Sequence, residues 1–189
     1  MAVEGVSCAS PERFGSESWT ESAGHVLTTD VATWMENTEE LSEEVFGPST
    51  LVVRCNSVAE MVAAARRLDG QLTATIWGSE ACVTSGDGAV LASLLQTKAG
   101  RLLFNDMPTG VEVCHSMNHG GPYPACSTPL FTSVGTQSIL RFARPMCFQD
   151  WPLDALPQEL RNENPRGILR LVNGEHTREA VQPNSRSTR

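Results

Sequence analysis

From residue 25 onward, short apolar runs of strand length alternate with longer stretches of mixed polarity. Residues 25–29 (HVLTT) have the composition of a short strand. Asp30 offers a side-chain acceptor for a helix N-terminus, and VATWMENTEELSEE follows as a helix that Phe46-Gly47-Pro48 should stop. Residues 50–54 (TLVVR) are a compact apolar strand. Asn56 is placed to cap the helix SVAEMVAAARRL, and Gly70 stands where a C-terminal glycine belongs. Residues 72–77 (LTATIW) are rich in β-formers, residues 89–99 read as a helix closed by Gly100, and residues 101–104 form the next strand. This alternation predicts an α/β layer: one parallel sheet built from residues 50–54, 72–77 and 101–104, with helices crossing over. The strands are apolar rather than alternating, the pattern of a sheet covered on both faces.

The character changes at residues 105–135, a stretch full of Gly, Pro, Ser and His with no regular period. Loops of this length in a compact domain tend to be functional or to be misassigned structure. Thr136 is placed to cap a helix QSILRFARP, a Pro-rich stretch follows, and residues 167–172 (GILRLV) read as an isolated strand before an Asn-Gly turn. The domain reading is a loose lead-in at 1–24, a main α/β part at 25–160, a terminal strand at 161–176 and a frayed tail at 177–189.

Charge is uneven. The net charge is −8, and residues 1–50 carry ten acidic side chains against the single basic Arg13. Glu36, Glu39, Glu40, Glu43 and Glu44 fit the solvated face of a helix. The acidic balance argues against a nucleic-acid partner, since phosphates require a basic face. No apolar run reaches membrane-spanning length, and the N-terminus lacks the basic and apolar regions of a secretory signal. The six cysteines include no CxxC pair and no Cys/His cluster of metal-site spacing, so the chain reads as cytoplasmic, with reduced thiols and no metal.

Glu43-Glu44-Val45-Phe46-Gly47-Pro48 matches the E-E-x-F-G-P signature of NAD(P)-dependent aldehyde dehydrogenases. Five fixed residues in a chain of this length arise by chance on the order of once in ten thousand. HGGPYPAC at 119–126, FTSVGTQSILRFARPMCFQDWP at 131–152 and NPRGILRLVNGE at 164–175 are similar to the branch acting on α-ketoglutaric semialdehyde (2,5-dioxovalerate). The resemblance runs from about residue 24 to 175 and covers the C-terminal part of that family's catalytic domain. It implies NAD or NADP as cofactor, an aldehyde as substrate, and attack by a cysteine thiolate followed by hydride transfer and glutamate-assisted hydrolysis.

Carried over residue by residue, Glu44 matches the carboxylate that holds the nicotinamide ribose hydroxyls, and Phe46 the aromatic beside the nicotinamide. Read without the motif, Glu44 is a solvated helix end and Phe46 a core plug. His119, Gly120 and Gly121 match the aldehyde entrance, with the glycines admitting close backbone approach. Read alone, Gly120-Gly121-Pro122 is a turn and His119 is solvated. His115 is a weaker candidate.

The family nucleophile lies about a hundred residues before the signature in a G-Q-x-C segment. Only 42 residues precede Glu43, and Cys8 in VSCASPE does not resemble that segment. The general base and the nucleotide-binding Rossmann domain also fall upstream in the family. The chain is therefore expected to carry no catalytic residue and to be inactive alone. It would be completed by an upstream dehydrogenase segment. The alternative is a non-catalytic module that docks on intact family members, since the family's C-terminal strand contributes to the oligomer.

Overall fold

The computed structural model of the chain describes residues 3–10 and 23–182. These fall into two compact units, Met1–Ala143 and Arg144–Arg189.

In the first unit, β2 (His25–Asp30) and β3 (Ser49–Arg54) pair in parallel, with Leu27 opposite Leu51 and Thr29 opposite Val53. A short β1 (Ser7–Cys8) adds antiparallel to β2. Part of the expected loose lead-in is thus tied down. The Ser7 and Thr28 hydroxyls lie 2.8 Å apart, and the buried Thr29 hydroxyl donates to the Gly5 carbonyl at 3.1 Å.

The helix expected from residue 31 to 44 is two short pieces, α1 (Val31–Glu36) and α2 (Thr38–Leu41). Asp30 caps α1 as read, accepting the Thr33 amide at 2.8 Å. The interruption falls at Asn37, whose side-chain amide donates to Thr33 O while the Thr38 hydroxyl donates to Trp34 O. Side-chain bonds of this kind compete with the helical ladder. Helix ends at Leu41, so Glu43 and Glu44 stand on an irregular segment rather than a helical face.

The α3 helix (Val58–Arg67) is capped one residue later than expected. The Glu60 amide donates to Ser57 Oγ, and the Glu60 carboxylate accepts from the Asn56 amide at 2.7 Å. Ser57 and Glu60 thus form a variant of the capping box, and Asn56 serves as donor. β4 (Gln71–Ile76) follows, then α4 (Glu80–Thr84), α5 (Gly86–Lys98) and β5 (Ala99–Phe104), which lies parallel to β4. Gly70 and Gly100 do not end helices in the left-handed region. A Cβ at Gly70 would collide with the Pro122 carbonyl, and one at Gly100 with the Gly120 carbonyl. Both glycines exist for close backbone approach.

The single three-strand sheet is corrected. β3 belongs with β1 and β2, β4 pairs with β5, and no ladder joins β3 to β4. The expectation of two covered faces also fails. Trp34, Val62, Ala65 and Leu95 form a buried helical layer with Ala99, but Val26, Val52, Leu72, Leu102 and Phe104 on the strands are exposed. The chain's accessible surface is 14699 Å². Two separately compact bodies of these sizes would together expose about 10,000 Å².

Residues 136–142 form a 3-10 helix (Thr136–Phe142) in which Thr136 is not the cap. Its hydroxyl pairs instead with His115 Nδ1 at 2.9 Å.

In the second unit the expected isolated strand is half of a hairpin, β6 (Arg170–Val172) with β7 (Glu175–Thr177). Asn173 and Gly174 take positive φ values of 51° and 90°, as a two-residue hairpin turn requires. The buried Asn164 amide donates to Ile168 O and Arg178 O. Arg170 donates to the carbonyls of Arg161, Asn162 and Glu179. Residues 177–182 are therefore tied back rather than frayed; the rest of the expected tail lies outside the described residues.

Candidate functional site

Residues 105–135 contain neither helix nor strand, yet polar side chains order them closely. Asn105, at φ 51°, clasps Gly78 by two reciprocal bonds of 2.8 Å, and its amide donates to Ile76 O. These bonds join the C-terminal ends of β4 and β5. Arg101 reaches from β5 to the carbonyls of Pro108 (2.8 Å) and Gly110 (3.2 Å). Asn118 donates to Gly100 O at 2.9 Å. The buried Thr132 hydroxyl accepts the His119 amide at 2.7 Å and donates to Val134 O at 2.6 Å.

Gly120 and Gly121 are buried where the loop crosses the N-terminal ends of β4 and β5. A Cβ on Gly121 would collide with Gln71 O. Their smallness serves strand-to-loop packing here. The Gly120-Gly121-Pro122 segment meets Gly70, Gln71 and Gly100 backbone to backbone. His119 is half-buried, and its Nδ1 is enclosed with no hydrogen-bond partner among the described residues.

A groove of about 900 Å³ lies between β3 and β4, and its walls include Leu27, Glu44, Leu51, Leu72, Pro124 and Ala125. It brings Glu44 together with the loop that follows His119-Gly120-Gly121. Phe46 and His119 are not in its lining. The Phe46 ring is 94% exposed, and Gly47 and Pro48 border a separate depression of about 510 Å³ with Ser10 and His25.

As a ribose ligand, Glu44 fits. Its carboxylate is exposed, engages no side chain among the described residues, and can accept two hydrogen bonds from a diol. Phe46 presents an open ring face.

The thiols differ. A hydrogen bond with Ser10 (3.3 Å) and the neighbouring His25 hold Cys8 below the ordinary thiol range. A hydrogen bond with Ser79 at 3.2 Å does the same for Cys82. Burial, and then the Glu60 charge, push Cys55 up.

The residues overlooked in the sequence are Arg101, Asn105, Asn118 and Thr132. The one signal for them was a charged residue, Arg101, inside an otherwise apolar strand.

No family model matches the chain. Among the proteins it resembles are two dehydrogenases. By their identity the chain belongs to the aldehyde dehydrogenases and corresponds to their C-terminal part. It is 50% identical over 137 residues, 70% of its length, to alpha-ketoglutaric semialdehyde dehydrogenase 2 of Azospirillum brasilense. It is 44% identical over 150 residues, 79% of its length, to the alpha-ketoglutaric semialdehyde dehydrogenase of Acinetobacter baylyi. The chain spans 25% and 28% of the length of these two relatives.

Proposed function

We propose that the chain is the C-terminal portion of an NAD(P)-dependent dehydrogenase that oxidises α-ketoglutaric semialdehyde to the carboxylate. The identity of 44–50% to two enzymes of that name carries this reading. The bound cofactor would supply the hydride acceptor. This chain's part is positioning: Glu44 accepts the ribose hydroxyls, Phe46 flanks the nicotinamide, and the 105–135 loop, with His119, Gly120 and Gly121, borders the aldehyde entrance. Glu44 sharing one groove with Pro124 and Ala125 supports that division of labour. The nucleophile, the general base and the pyrophosphate cradle come from upstream dehydrogenase structure. Six unpaired cysteines suit a cytoplasmic setting.

The test is a fusion of the N-terminal three quarters of the Azospirillum brasilense relative to this chain from residue 24. It should form NAD(P)H at 340 nm with α-ketoglutaric semialdehyde. Glu44→Gln in that fusion should lower kcat about tenfold, the loss of one charge-assisted bond. A folded fusion that is inactive on this aldehyde but active on another would overturn the substrate. One that is inactive on all would overturn the enzymatic reading.

A second reading concerns assembly. Leu169 and Leu171 beside the hairpin are 56% and 64% exposed. They suit an oligomer contact with intact family members, which sedimentation of the chain mixed with a relative would detect.

A further inference from the structure

We infer that β3 and β4 are the inner edges of one interrupted sheet. The groove between them takes extended β-structure from the dehydrogenase portion that this chain does not span. This rests on the proposed function, in which that portion completes the enzyme.

Four observations converge. β2–β3 and β4–β5 are both parallel pairs, linked through the single helix α3. The α3 and α5 helices pack on each other, so both pairs are roofed by one helical layer. β3 is laddered only to β2, and β4 only to β5. Each therefore turns a second row of backbone N–H and C=O groups away from its partner, and such a row templates another strand.

Those two edges border the same groove, and they do so through matching positions. Ser49, Thr50 and Leu51 open β3, while Gln71, Leu72 and Thr73 open β4. Matching leading residues on both walls are what two parallel strands give when the strand between them is absent. A βαβ crossover that passes over an intervening strand is ordinary in parallel sheets.

The chemistry of the groove favours main chain over a small ligand. Two facing edges offer repeating donors and acceptors at strand spacing, which an extended backbone can pair along its whole length. Leu27, Leu51 and Leu72 supply apolar wall for alternate side chains. Glu40 and Glu43 stand at its margin, so the entering segment should carry a Lys or Arg at that end. The occupant comes from the dehydrogenase because about three quarters of each relative's length lies outside this chain.

Hydrogen exchange tests the inference on two folded samples, the fusion described above and the intact Azospirillum brasilense relative. Backbone amides of residues 50–54 and 71–76 that exchange rapidly in this chain alone should slow on the order of 100-fold or more in the fusion, with the same pattern at the corresponding positions of the relative. Leu51→Lys together with Leu72→Lys should abolish that protection in the fusion. Rapid exchange of both edges in the relative, or in an active fusion, would overturn the inference while leaving the dehydrogenase reading intact. Protected edges in an inactive fusion would do the reverse. Protection of the chain alone that grows with its concentration would assign the groove to a second copy of this chain and overturn the inference.

Discussion

Residues 105–135 have no regular secondary structure but are anchored by several polar side chains; β3 and β4 are regular strands, each laddered on one side only. The loop is ordered by long-range bonds from Arg101, Asn105, Asn118 and Thr132. The strands are ordered by local apolar sequence and helix packing, yet the sheet they belong to is interrupted. Regularity and completeness are thus separate properties. A strand can form from its own sequence and still lack the neighbour that makes it part of a stable sheet.

The sharpest way to break this comparison is activity. The chain alone should produce no NAD(P)H from α-ketoglutaric semialdehyde with either cofactor, whereas the fusion should turn over at rates typical of enzymes, about 1–1000 per second. Turnover by the chain alone would show that the strands need no neighbour for function. If Cys8→Ser abolished that turnover, the activated thiol beside His25 would be the nucleophile.

The loop side is probed by its glycines. Gly121→Ala and Gly70→Ala drive a methyl into a main-chain carbonyl, of Gln71 and Pro122 respectively. Backbone cannot yield as a flexible side chain does. Each variant should lose about 3 kcal/mol or more, read as a fall in urea midpoint or as failure to accumulate. Gly47→Ala, where a Cβ would meet nothing within 4 Å, is the control and should stay within about 1 kcal/mol. Equal losses at all three would mean that close approach is not what the loop glycines provide.

A smaller effect is expected on the helical layer that both half-sheets share. Ser57→Ala removes the α3 cap and should cost about 1 kcal/mol. Asn56→Ala keeps the Ser57 cap and should cost less. A larger loss at Asn56 would restore it as the cap.

Much of the fold was legible because it is local. The strands at 25–29, 50–54, 72–77 and 101–104 and the helices before β4 and β5 appear within a few residues of their predicted places, and Asp30 caps α1 as its side chain suggested, although the helix it opens breaks at Asn37. What was not legible depends on partners distant in sequence. Apolar strands imply two covered faces, and nothing in TLVVR or LTATIW states that a cover or a neighbour must come from elsewhere. Gly70 and Gly100 looked like helix ends because that is the usual local role; their actual role is set by a loop whose residues 120–123 pass them far later in the chain. For the candidate site, Glu44 and Phe46 were singled out through a motif rather than through periodicity. The groove that joins Glu44 to Pro124 and Ala125 could not be read from either segment alone.

The smallest expected effect is on pH dependence, and it separates the two regions once more. Asp30 accepts the Thr33 amide and, chiefly through that bond, has a carboxyl pKa below the ordinary value of 3.8. Because the folded value is depressed, the capped carboxylate stabilises α1 fully above the unfolded pKa. That contribution fades as pH falls through the ordinary carboxylate range and is gone below the folded pKa. Asp30 is exposed, so solvent screens the effect and its size should be modest. Lowering the pH from 6 to 3 should therefore loosen α1 and the β2 end of the first sheet before it touches the long-range anchors of the 105–135 loop at Arg101, Asn105, Asn118 and Thr132, side chains that do not titrate there. Amide exchange at residues 31–36 in the native chain and in Asp30→Ser, whose hydroxyl caps without titrating, reads this directly. The native chain should lose protection across that range and the Ser variant should not. Equal loss in both would place the acid-sensitive group elsewhere.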